Sequence, residues 1–167
     1  SAFDVNTPGS VVLREMQDVV NHWEGGLRAT GGALVPEKSY WYLIDFVWHK
    51  DHWKYATIED TPGNITIRTV DGHTRTHLRR FEPAHAEETL GVFLAMDGDN
   101  VAEVKKLRDK AEEFADCIRT GFVTRNEAWY ALNATIMKTF EYPMEAITLT
   151  KKQWDYIMSP VLMATLP

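Results

Sequence analysis

His22–Phe46 reads HWEGGLRATGGALVPEKSYWYLIDF, and the change of period inside it decides the fold. Upstream and into this stretch, Val12, Met16, Val19, Val20, Trp23 and Leu27 recur at three- and four-residue intervals, the pattern of a helix with one apolar face. Gly25-Gly26 weakens its last turns and Gly31-Gly32 stops it. From Lys38 the helical period is lost. Tyr40 to Trp48 is an aromatic and aliphatic run interrupted only by Asp45, which predicts a strand covered on both faces. GGLRATGG is not a phosphate loop: it lacks the GxxxxGK(S/T) spacing and follows a helix where such a loop follows a strand.

Outward from this stretch the chain continues in short strands. His49–His52 (HKDH) predicts a turn and Trp53 to Ile58 a returning strand. Thr61-Pro62-Gly63-Asn64 turns again, and Ile65, Ile67 and Thr69 alternate with polar residues. Asp71-Gly72 is the strongest hairpin signal, because a two-residue reversal needs positive φ. The strand after it, Thr74 to Phe81, is polar and basic, and Glu88 to Met96 predicts a further strand. Beyond Asp97-Gly98 the period is helical throughout. Asn100 with Glu103, Thr124 with Glu127, and Thr150 with Gln153 have capping-box spacing. Each opens an amphipathic stretch, with Val101, Trp129 and Leu162 on the expected apolar faces, Pro143 beyond the second helix and Pro160 within the third. The expected class is α+β. A linker over residues 1–9, opened into the helix by Pro8, precedes an N-terminal helix on an antiparallel sheet over about residues 8–96. A three-helix subdomain follows over residues 97–167.

The 167 residues suffice for one core or two small subdomains. A net charge of −6 lacks the overall basic excess of dedicated nucleic-acid binders, so any phosphate contact must come from local patches. Two such patches stand out. Arg68, Arg75, Arg79 and Arg80, with His73 and His77, surround the Asp71-Gly72 turn; Lys105, Lys106, Arg108 and Lys110 lie on the helix after residue 100. Both also read as ordinary solvated faces. The lone Cys117 cannot form an internal disulfide and is expected as a small core residue in a reducing, intracellular setting. No apolar run reaches the length of a membrane helix, and SAFDVNTPGS has no signal-peptide pattern, so no membrane partner and no secretion are expected. HTRTH and HKDH are not read as metal sites. No D-x-D or E-x-x-H pattern occurs, and no nucleophile–base–orienter set can be assembled around Asp45.

Three segments carry a resemblance: WEGGLRATGGALVPEKSYWYLIDF, then ETLGVFLAMDGD, then TFEYPMEAITLTKKQWDYIMSPVLMATLP. In this order they resemble the C-terminal palm and thumb of retroelement reverse transcriptases, over about residues 11 to 167. The resemblance implies that Val11–Leu27 is a palm helix and that Lys38 is the family's lysine near the triphosphate, a proton donor to pyrophosphate in the whole enzyme. It implies that Leu90-Gly91 opens the primer-holding segment and that the last helices are a thumb. The implied partner is an RNA–DNA or DNA primer–template duplex, held through the two basic patches with Leu90 and Gly91. The family's Tyr-x-Asp-Asp turn and its other metal-binding aspartate would precede residue 10. The expectation is therefore a chain, natural or cut from a longer one, that does not polymerise by itself, Mg2+ entering only with those aspartates. Beside this stands a non-catalytic module that binds protein or self-associates through its aromatic surface.

Overall fold

A computed structural model describes residues 9–166; the expected linker before Gly9, the helix-opening Pro8 and Pro167 lie outside the described residues. The fold is α+β, in two compact units that divide between His85 and Ala86.

The first unit opens with α1 (Gly9–Ala29), which runs unbroken through Gly25-Gly26. It stops as expected: Gly32 N donates to the Leu27 carbonyl at 2.8 Å across Gly31, whose φ of +83° suits glycine. A single 3-10 turn (Pro36–Lys38) leads to β1 (Tyr40–Tyr42), β2 (Phe46–His49), β3 (His52–Tyr55), β4 (Thr66–Arg68), β5 (Arg75–His77) and β6 (Arg79–Phe81). These pair only in twos: β2–β3 and β4–β5 are antiparallel hairpins, and β1–β6 is parallel. The core is Trp41, Leu43, Ile65, Ile67 and Leu78, with Val12, Leu13, Met16 and Val20 of α1 against it.

The continuous strand expected from Tyr40 to Trp48 is two strands separated by residues 43–45. β1 leaves β6 after Tyr42, and the chain then pairs with β3, the Asp45 carbonyl accepting from Ala56 N at 2.8 Å. Before Asp45, Trp41 and Leu43 are buried. After it the run is uncovered, with Phe46 and Trp48 exposed at 52% and 60%. Val19 and Trp23 of α1 also face outward, because the apolar arc of the helix is wider than the ribbon beneath it.

What seats α1 is polar. Gln17 Nε2 donates to the Thr66 carbonyl at 2.9 Å while its Oε1 accepts from Thr66 N at 2.8 Å. Further along the helix, Glu24 Oε1 accepts from Arg68 N at 2.6 Å, and Arg28 Nη2 donates to the Thr69 carbonyl at 2.6 Å. Thr66 and Arg68 sit at the ladder positions of β4 whose backbone groups turn away from β5. The helix therefore completes a strand edge with side chains.

The second unit begins with β7 (Glu87–Thr89) and β8 (Val92–Leu94), one antiparallel hairpin where a single strand over Glu88–Met96 was expected. This hairpin goes with the helices, so the two units part about ten residues earlier than the composition change near residue 96 implies. α2 (Val101–Thr120) and α5 (Lys151–Thr165) flank α3 (Arg125–Ala131) and α4 (Met137–Met144), which a π-turn (Leu132–Ile136) joins without a break. Three helical rods result, packed on Leu107, Ala111, Leu132, Ile136, Phe140, Ile157 and Val161. Pro143 lies inside α4 rather than past its end, one residue from the terminus. Val101 and Trp129 point outward, and Cys117 is exposed, not in the core.

Two of the three capping boxes form, at Thr124–Glu127 and Thr150–Gln153. The backbone and hydroxyl of Thr124 hold the Glu127 carboxyl below its ordinary range. A depressed carboxyl contributes stability above its unfolded pKa and loses it as the pH falls through its folded pKa, so this cap weakens only in acid. The third box does not form. Asn100 instead donates to the Thr148 carbonyl, and Asp99 accepts from Val101 N.

Replacing Glu24 by alanine leaves a part-buried backbone N–H at the β4 edge without its acceptor. We expect Glu24→Ala to lower the unfolding free energy by about 1–3 kcal/mol in urea titration, and Glu24→Gln, which keeps an acceptor, to lose less. Equal stability of all three would mean that water serves this edge.

Candidate nucleic-acid interface

The β7–β8 turn is built from a two-residue loop, Leu90-Gly91, with φ of +51° and +82°. A two-residue hairpin demands such angles, and a leucine adopting them carries a cost of about 1–2 kcal/mol. Three helical side chains hold the hairpin in place. Tyr142 Oη donates to the Leu90 carbonyl at 2.8 Å, and Lys106 Nζ donates to the Gly91 carbonyl at 2.6 Å. Glu103, only 1% exposed, accepts from Phe93 N at 2.8 Å. This is why Glu103 is absent from the cap predicted for it: a buried carboxylate serves the β8 edge instead. The Leu90 side chain is left 85% exposed at the tip.

The structure sorts the predicted basic residues into anchors and free heads. Lys106 is an anchor, pairing also with Glu88 at 2.5 Å and lying 5.2 Å from the Phe93 ring centre. Arg108 is another. Pro160 has no N–H to give the Tyr156 carbonyl one turn earlier, and Arg108 Nη1 donates to that carbonyl. Its guanidinium also bonds Ser159 at 2.7 Å and Glu112 at 2.7 Å and lies over the Tyr156 ring. The proline inside α5 thus has its missing donor supplied by a neighbouring helix.

In the first unit Arg80 Nη1 donates to the Thr61 carbonyl at 2.6 Å and the guanidinium stacks on Trp41. Burial pushes its pKa below the usual arginine value, a second sign that it faces protein. Arg79 lies on the opposite side of β6, over the Phe81 ring at 4.4 Å. Arg68 and Arg75 are directly opposed on β4 and β5. Like charges so placed repel, and Arg75 turns aside to Thr66 and to Asn21 Oδ1 at 2.6 Å. Arg68 stays exposed, its side chain making no bond among the described residues. The same holds for Lys105 and Lys110 on α2 and for Lys38 at the end of the 3-10 turn.

Residue spacing alone did not disclose Gln17, Glu24, Glu103 and Tyr142 as positioning groups. The only advance signal was the Gln17–Glu24–Arg28 spacing, which places all three on one helical stripe. His49 and His52 are opposed across the β2–β3 hairpin, ring centres 6.2 Å apart. Among the described residues no group of three or more His, Cys, Asp and Glu is placed to hold a metal ion, and no helix is long and apolar enough to cross a membrane. No protein family, curated protein or solved structure matches the chain.

The division into anchors and free heads is open to test by stability. Arg108→Met is expected to cost about 1–3 kcal/mol in urea titration, because the Tyr156 carbonyl loses its donor. Lys105→Met is expected to stay within about 0.5 kcal/mol of the parent. Equal effects would erase the distinction.

Proposed function

We propose that the chain grips a nucleic-acid duplex, in the manner of the reverse-transcriptase palm end and thumb it resembles. The observation that carries this reading is the Leu90-Gly91 turn: left-handed at both residues, tethered by Tyr142 and Lys106, and bare at its tip. Backbone held at a cost by its surroundings tends to mark functional sites. Here the tethers offer a rigid apolar tip to something outside the described residues, and the groove edge or sugar of a primer terminus fits it.

Phosphate contacts in this reading come from Arg68 in the first unit and from Lys105 and Lys110 in the second, whose heads are exposed and unengaged among the described residues. Arg75, Arg79 and Arg80 shape the surface around Arg68, and Lys106 and Arg108 that around Lys105 and Lys110. The partner is an RNA–DNA or DNA primer–template. Lys38 acts on triphosphate only beside the carboxylates and Mg2+ of a whole polymerase, and the chain by itself binds without catalysing.

Fluorescence anisotropy with a labelled RNA–DNA primer–template, titrated at several salt concentrations, tests this. The logarithm of the binding constant is expected to fall linearly with the logarithm of salt. Arg68→Ala and Lys105→Ala together should lower that slope by about 2, one for each phosphate that is no longer neutralised. Leu90→Ala should weaken binding with the slope unchanged. Absence of binding at low salt, or variants indistinguishable from the parent, would overturn the proposal.

A further inference from the structure

HKDH, residues 49–52, is where the β2–β3 ribbon reverses. Along a strand His49 and His52 would lie about 10 Å apart, too far to share an ion. The reversal brings them together. Lys50 and Asp51 form a two-residue turn with φ of +43° and +69°, and His49 is directly opposed to His52 in the ladder. Side chains so opposed leave from the same side of the ribbon, their Cβ atoms about 5 Å apart. Both histidines are exposed, and their ring centres are 6.2 Å apart at an interplanar angle of 90°.

The pair has the chemistry of a metal-ligand set. His52 Nδ1 lies 3.1 Å from the Lys50 carbonyl oxygen. A carbonyl only accepts, so Nδ1 carries the proton and the lone pair is on Nε2. Ligating histidines are held in this way: the other ring nitrogen donates to a carbonyl, which fixes tautomer and ring orientation. The His49 ring meets His52 edge to face and has no hydrogen bond among the described residues. Two imidazole nitrogens about 2.1 Å from one tetrahedral ion set their ring centres roughly 5 Å apart, and a rotation of either exposed ring closes the difference.

The surroundings favour a cation. Residues 45–60 contain four acids, Asp45, Asp51, Glu59 and Asp60, against two lysines, Lys50 and Lys54. Lys54, on the same side of the ribbon as the histidines, is drawn to Asp60 at 3.4 Å. Asp51 sits beside Lys50 in the turn and offsets its charge. A two-stranded ribbon is marginal in water, and this one turns on two non-glycine residues at positive φ. An ion bridging the strand ends stabilises both features. Imidazole selects zinc, copper or nickel over magnesium or calcium. We infer that His49 and His52 form a two-histidine site for a first-row divalent transition metal, which clips the tip of the β2–β3 ribbon while water completes its coordination. This goes beyond duplex binding, which uses neither imidazole.

Calorimetric titration of the whole chain, without any histidine tag, with ZnCl2 and separately with CuCl2 tests this. One ion should bind at the pair, copper more tightly than zinc. His49→Gln and His52→Gln should each weaken binding by about a hundredfold, because the second imidazole engages an ion that the first already holds. The double variant should lose little more than either single one, the mark of two groups acting on one ion. Both side chains are exposed, so folding should survive these changes. Zinc at about a hundred times its dissociation constant should also slow hydrogen exchange of the β2–β3 ladder amides, by up to about a hundredfold. Absence of heat with both ions at millimolar concentration, a single variant that binds like the parent, or equally tight binding of Mg2+ would overturn the inference.

Discussion

Every ribbon among the described residues is two strands wide, so along each one half of the backbone N–H and C=O groups lack a neighbouring strand. Buried backbone groups left without partners cost about as much as a lost hydrogen bond. The chain meets this constraint with helical side chains. Gln17, Glu24 and Arg28 serve β4, while Glu103, Lys106 and Tyr142 serve the β7–β8 hairpin. Arg108 does the same for the carbonyl that Pro160 leaves without a donor. Polar residues on these helices thus fix where the ribbons lie, and the apolar contacts fill in behind them.

The same constraint governs the surface. A charged head bonded to a carbonyl is not available to a phosphate, so the basic clusters visible in the sequence shrink once backbone needs are met. Arg75, Arg80, Lys106 and Arg108 belong to the architecture; Arg68, Lys105 and Lys110 remain. With a net charge of −6, a few well-placed cations must suffice for any duplex contact. The exposed Leu90 tip then matters because its position is fixed by bonds to two different helices.

Much of this was legible in advance. The α+β class, the stop after α1 and the boxes at Thr124 and Thr150 follow from period and local chemistry, which a single segment contains; the chain does reverse about Asp71-Gly72, but through a four-residue loop over residues 70–73 with only Gly72 at positive φ, not the two-residue turn expected. The errors share a cause: they concern bonds and packing that local pattern does not encode. Glu103 has cap spacing from Asn100, yet it is drawn to Phe93. Tyr40–Trp48 reads as one buried strand because composition does not show that the chain changes partner strand after Tyr42 or that nothing among the described residues covers Trp48. Cys117 sits at the edge of an apolar stripe, and only the packing of α2 decides that it is exposed. In the candidate site, the residue types were readable and their engagement was not.

That helical side chains take the place of missing strands is tested most directly by amide hydrogen exchange in the free chain, read residue by residue by NMR. Thr66, Arg68 and Phe93 N–H groups point away from their partner strands and bond Gln17, Glu24 and Glu103. These three amides are expected to exchange as slowly as the ladder amides beside them. Exchange at the rate of solvent-exposed amides would contradict the substitution of side chains for strands.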